Sequence, residues 1–198
     1  MKIHGTAKGG AESKKDFGVA FAGDTEPPCS DEYRTTNTGT AGGWGSNDDT
    51  VWVSKTSATV SEGDKISKIG CNYAATNNQP YGTKFVCYSD DSGSPDAFIC
   101  MTQSAATSGT GWIEYDVVDD SGDVEAHEIT ADEAGYLWIG VWSEDNNYIY
   151  VETGVTNGIR QMAQTWNSSN TAEPDDPYSE NAQHGVSLTS RAVACIPD

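Results

Sequence analysis

Short apolar runs, interrupted every 8–15 residues by Gly-, Asp- and Ser-rich turns, constrain this chain more than any other feature. "TVWVSKTSATV" (50–60) is β-branched and alternating, "SEGD" (61–64) turns, and "KISKIGCNY" (65–73) places Ile69, Cys71 and Tyr73 on one face. That spacing has the period of two that an extended strand imposes. After the breaker "TNNQPYG" come "TKFVCYS", the turn-forming "DDSGSPD", "AFICMTQ", "GWIEYDVV", the turn "DDSGD" and "VEAHEIT". "GYLWIGVW" (135–142) is apolar on both faces, with Tyr136, Trp138 and Trp142 on one and Leu137, Ile139 and Val141 on the other. It predicts a central strand covered on both sides. "NYIYVETG" reads as its hairpin partner across "SEDN", and "GVSLTSRAVACI" as a last strand that pairs far from its sequence neighbours. Between these two lies the long polar loop "NSSNTAEPDDPYSENAQHG".

No helical i, i+3, i+4, i+7 pattern persists past two turns; "NGIRQMAQTW" (157–166) comes nearest and is expected to form a short helical turn. About eight to ten short strands with almost no helix predict an all-β fold, an antiparallel sandwich or barrel. The sandwich is expected over residues 45–198, preceded by an irregular linker or wrap at 22–44 and an extended N-terminal arm at 1–21.

Charge divides the chain in the same place. Residues 1–16 hold Lys2, Lys8, Lys14 and Lys15 against Glu12 and Asp16, whereas the remainder holds 7 basic and 28 acidic residues, within a net charge of −19. An acidic body repels a phosphate backbone, so no nucleic-acid partner is expected. The start lacks the apolar stretch of about 7–15 residues that marks a secretory leader, which predicts synthesis and folding inside a cell. No run approaches a membrane span, so no membrane partner is expected either.

The five cysteines, Cys29, Cys71, Cys87, Cys100 and Cys195, form no CxxC pair and match no zinc spacing. Four of them sit in apolar strand-like runs, where a thiol behaves as a small hydrophobe; cross-strand or intermolecular disulfides are the alternative.

Catalytic signatures are weak. His127 is flanked by Glu125 and Glu128, but the second His of HExxH is missing, so a solvated strand surface is expected. No GxSxG elbow supports a nucleophilic serine. With 30 acids, a carboxylate pair suited to glycoside hydrolysis carries little information. The expectation is therefore a non-enzymatic protein with no cofactor and no catalytic residue. "SDDSGSPD" (89–96) and "DVVDDSGD" (116–123) crowd acids around Gly and are candidates for a structural Ca²⁺, though Asp and Gly are also ordinary turn formers. Trp44 and Trp166 lie in polar loops and are the candidate glycan-stacking rings, with plugging of the core edge as the alternative.

The order of pieces from Lys65 onward resembles a jelly-roll β-sandwich module found in tailed-phage virion proteins and prokaryotic surface proteins. The resemblance rests on Tyr88, Ser89, Asp90, Ser92, Gly93, Ser94 and Pro95, and on Ala134, Gly135, Tyr136, Trp138 and Ile139 with their "WIGV" continuation. It covers about two-thirds of the chain and includes no catalytic piece. The leader "KGG…SKKDFGVAF" is similar to the start of tailed-phage virion proteins that carry varied C-terminal domains. These resemblances imply a capsid-decoration or fibre protein, assembled in the host cytoplasm and resident in the virion. They also imply partners such as the major capsid protein or a tail subunit, and symmetric oligomers, trimers being the expectation.

The arm itself supports docking. It has too little apolar surface to offset its ordering entropy alone. Phe17, Val19 and Phe21 at period two suit addition to a neighbouring sheet edge, with Lys2, Lys8, Lys14 and Lys15 available to acidic groups there. The rival reading is a carbohydrate-binding module whose partner is a host-surface glycan.

Overall fold

The computed structural model describes residues 31–35, 41–45, 49–76, 81–107, 109–144, 147–153, 158–184 and 186–195. The expected docking residues Lys2 to Phe21 lie outside the described residues. The strands are β1 Asp31–Arg34, β2 Ala41–Gly45, β3 Thr50–Val60, β4 Lys65–Thr76, β5 Tyr81–Asp91, β6 Ser94–Thr102, β7 Ala105–Thr107 and β8 Gly111–Val118. They continue as β9 His127–Glu128, β10 Gly135–Ser143, β11 Asn147–Thr153, β12 Ile159–Ala163, β13 Ala182–His184, β14 Val186–Leu188 and β15 Ser190–Cys195. The described residues are thus all-β, and β1 and β2 fall within or just beyond the segment read as a linker or wrap. No helix among them is long and apolar enough to cross a membrane.

All the strand pairs are antiparallel, and they form two rows. One runs β13-β12-β3-β10-β5-β6. The other runs β1-β15-β4-β8, with β11 beside the end of β4 and β2 and β14 beside β11. β6 and β8 join the rows through Met101 opposite Val118 and Thr102 opposite Val117, giving one continuous sheet.

Strand periodicity positions the core. Trp52, Phe85, Cys87, Leu137, Ile139 and Val141 from the first row bury against Ile66, Ile69, Cys71, Tyr73, Ile149 and Leu188 from the second. The alternate residues of the first row point the other way: Val51, Val53, Val86, Tyr88, Trp138 and Trp142 form a second cluster, closed by Met162 and Tyr178. β10 is therefore buried on both faces, as its sequence predicts, although Tyr136 at its start is 41% exposed. Gly140 lies between Val53 and Val86 in the two flanking registers, and a Cβ there would strike the Trp52 carbonyl.

The cover over the second cluster is the polar segment 164–181. Tyr178 donates to the Val51 carbonyl (3.2 Å), Tyr88 to the Asp175 carbonyl (3.3 Å) and Trp142 Nε1 to the Gln164 carbonyl (3.3 Å). The Lys84 ammonium reaches up from β5 to the Ser169 and Ala172 carbonyls.

Four local expectations are corrected. "NGIRQMAQTW" is not a helical turn: Ile159–Ala163 form β12, hydrogen-bonded between β3 and β13. Its pattern is too short to offset helix nucleation, whereas the open edge of β3 satisfies its backbone directly. "NYIYVETG" is not the hairpin partner of "GYLWIGVW". Both edges of β10 are taken by β3 and β5, so the chain crosses to the opposite row and β11 pairs there with β2, β4 and β14. In "VEAHEIT" only His127–Glu128 is strand, paired with Lys65–Ile66. The turn between β5 and β6 shrinks to Ser92-Gly93, both at positive φ (52° and 93°), the pairing of a tight hairpin whose twist suits its strands.

Candidate functional site

β6 and β8 separate immediately after their two paired positions, and the segment following β8 swings away to reach β9. The gap is a groove of about 470 Å³. Phe98, Ile99, Cys100, Met101 and Val118 contribute its apolar lining, and Asp119, Asp120, Glu125, Glu128 and Glu173 its acids, with Lys65 also on the wall. Its walls owe their shape to local chemistry. Asp119 Oδ1 accepts from the Ser121 and Asp123 amides (both 2.9 Å), and Gly122 N–H bonds the Asp119 carbonyl, which closes the turn after β8. Asp residues favour this self-bonded geometry.

His127 lines the groove and its Nε2 contacts both oxygens of Glu133 at 3.1–3.2 Å. Burial pushes the Glu133 carboxyl up, but the Thr130 amide and the His127 contact outweigh it and hold the group below its ordinary value. The sequence reading of His127 as a solvated surface residue is corrected: it is part-buried and its Nε2 is hydrogen-bonded to the carboxyl group of a residue six positions on. Lys65 pairs with Glu128 at 3.5 Å, which leaves the other groove acids in excess over the single lysine on the wall. Such a groove attracts cations and offers carboxylate acceptors to hydroxyl groups, over an aromatic and thioether floor.

The other sequence candidates are dispersed. Asp90, in the first acidic turn, accepts from Lys55 Nζ (2.9 Å) and Trp138 Nε1 (2.7 Å) and so works as a cross-strand strut. Among the described residues no group of three or more His, Cys, Asp or Glu is gathered in cation-binding geometry. Trp166 is half-buried and packs edge-to-face on Trp142 at a centroid distance of 5.3 Å. In β2, Trp44 opposes Ile149 of β11; its side chain lies outside the described residues. Cys71, Cys87 and Cys100 are buried free thiols.

Sequence reasoning missed Phe98, Met101 and Glu173, which the folded chain gathers from distant segments around the groove. It also missed Lys84. No local signal marks a lysine in "TKFVCYS" as buried beneath two tryptophans more than 50 residues away. No known protein family, curated protein or solved structure matches the chain.

Proposed function

We propose that this chain is a non-enzymatic structural protein of a tailed-phage virion, a capsid-decoration or fibre component. In this reading it attaches through residues 1–21 and displays a jelly-roll β-sandwich. The observation that carries the reading is strand order. β2-β11-β4-β8 on one side and β3-β10-β5-β6 on the other are two facing four-strand rows, and among these eight strands the chain changes row at every step except the β5–β6 hairpin. This reading takes that order as the double Greek key of a jelly roll, an architecture shared by viral capsid and lectin domains. The extra strands β12–β15 extend both rows, and an acidic displayed body resists nonspecific association. Partners under this reading are the major capsid protein or a tail subunit, and further copies of the chain, trimers being the expected assembly in the virion.

The test is quantitative mass spectrometry of purified particles, with the chain carrying or lacking residues 1–16. Incorporation of the full chain and loss of the truncated one support the reading. Equal incorporation removes the docking role of the arm, and absence of the full chain from particles removes the virion role.

The acid-lined groove beside Phe98 favours a second reading, a glycan-binding module of a surface or secreted protein. It predicts a monomer by light scattering and saturable binding to a glycan array that falls on Glu125→Gln or Phe98→Ala.

A further inference from the structure

Cys87 and Cys100 face each other directly across β5 and β6. Both belong to the main core, at 0% and 4% exposure, and neither is in a disulfide. Opposed residues on antiparallel strands hold their Cβ atoms about 4.5–5.5 Å apart, and a disulfide needs about 3.5–4.5 Å. The remaining shift is small, and the register slips beside this pair, between Cys87 and Tyr88, where the strands are already irregular. Cys100 also lines the groove, whereas Cys87 does not. Cys71 is an internal contrast: across β4 it meets Ser190 on one side and Ile113 on the other, with its sulfur 3.1 Å from Ser190 Oγ.

We propose that Cys87 and Cys100 are a modification site: a cross-strand dithiol that closes to a disulfide on reaction with a small-molecule disulfide admitted through the groove. The Cys100 thiolate attacks one sulfur of the reagent and expels the first thiolate, leaving a mixed disulfide on Cys100. The Cys87 thiolate then attacks the Cys100 sulfur and expels the second. Two protein thiols are oxidised and one small disulfide is reduced to two thiols. Burial, then Cys100, then the Glu133 carboxylate push the Cys87 thiol up. Closure is therefore slow at neutral pH and accelerates as pH rises.

The test uses the full native chain incubated with excess oxidised glutathione, quenched in acid, alkylated after denaturation and cut at aspartate. Asp90, Asp91 and Asp96 separate the two cysteines in that digest, and a further cut at Lys84 separates Cys87 from Cys71. The expected product is a Cys87–Cys100 linked peptide pair, 2 Da below the sum of the free peptides, with Cys71 still alkylated. Cys87→Ala is expected to trap glutathione on Cys100, and Cys100→Ala to leave Cys87 alkylated. Full alkylation of both residues in the native chain overturns the proposal. So does a glutathione adduct on Cys100 that never resolves, or linkage of either cysteine to Cys29, Cys71 or Cys195 instead.

Discussion

The Lys84 ammonium sits 4.8 Å from the centroid of the Trp142 ring, inside a residue with no exposed surface. Trp166 lies on the same ammonium at 5.7 Å, and the Ala172 carbonyl accepts from it at 2.8 Å. One cation thereby fastens the polar segment 164–181 to the outer face of β5 and β10. Hydrogen bonds from a charged donor and a desolvated cation–π contact each contribute on the order of 1–3 kcal/mol. Lys84→Met keeps the stem and removes the charge. It is expected to cost about 2–4 kcal/mol in urea denaturation and to raise amide exchange across residues 167–175. Unchanged exchange there would remove the strut.

The same residue has a pH signature. Burial lowers the Lys84 amine to about 8, so between about pH 8 and the ordinary lysine value near 10.4 the unfolded chain binds more protons than the folded one. The contribution of Lys84 to stability therefore rises with pH across that window. It is read as the difference between the parent protein and Lys84→Met at each pH; a difference that shrinks across the window contradicts it.

The whole protein is expected to behave oppositely in alkali. Burial pushes the Cys71 thiol up to about 12, against a weaker downward pull from Ser190. It also pushes up Cys87, Tyr88 and Tyr178. Each raised group contributes stability that is present in full below its unfolded pKa and lost as pH rises through its folded value. With four such groups against Lys84, the unfolding free energy should fall steadily above about pH 8.5, the ordinary thiol value. Cys71→Ala, compared by urea titration at pH 7 and pH 10, should flatten that fall. An identical fall in the variant would mean that Cys71 does not carry its share.

Asp90 holds two donors at once, Lys55 from β3 and Trp138 from β10. Asp90→Ala leaves the indole N–H without its acceptor and the lysine without its counter-ion, at an expected cost of about 1–3 kcal/mol. A change in the near-ultraviolet circular dichroism of Trp138 should accompany it. Asp90→Asn, which keeps an acceptor oxygen, should recover part of the loss.

At Gly140 the backbone of β10 leaves no room for a side chain against β3. A methyl group there meets the Trp52 carbonyl and the Val53 Cα, both backbone, so no side chain can move aside. Gly140→Ala is expected to destabilise by about 3 kcal/mol or more. Gly93→Ala, in open space at φ 93°, should cost only the strain of a left-handed residue, about 1–2 kcal/mol. Similar costs for the two would show that close approach is not what requires Gly140.

Strand positions were legible because alternation is local. The two faces of "GYLWIGVW" separate into two different clusters, as their period demands, and Ile69, Cys71 and Tyr73 bury together. Partners were not legible. "SEDN" looks like a hairpin turn, yet occupancy of both edges of β10 by strands more than 40 residues distant sends β11 to the other row. The groove was invisible for the same reason: Phe98, His127 and Glu173 have no spacing in common, and only the parting of β6 from β8 brings them to one place.

The chain alone determined that it folds as strands and which side chains share a face, because both depend on residues two positions apart. Only the tertiary structure decided which strands meet, which lysine is buried and where an acid-lined gap opens. Those outcomes depend on competition among distant edges for the same hydrogen bonds, and that competition is resolved only when the whole sheet closes on its core.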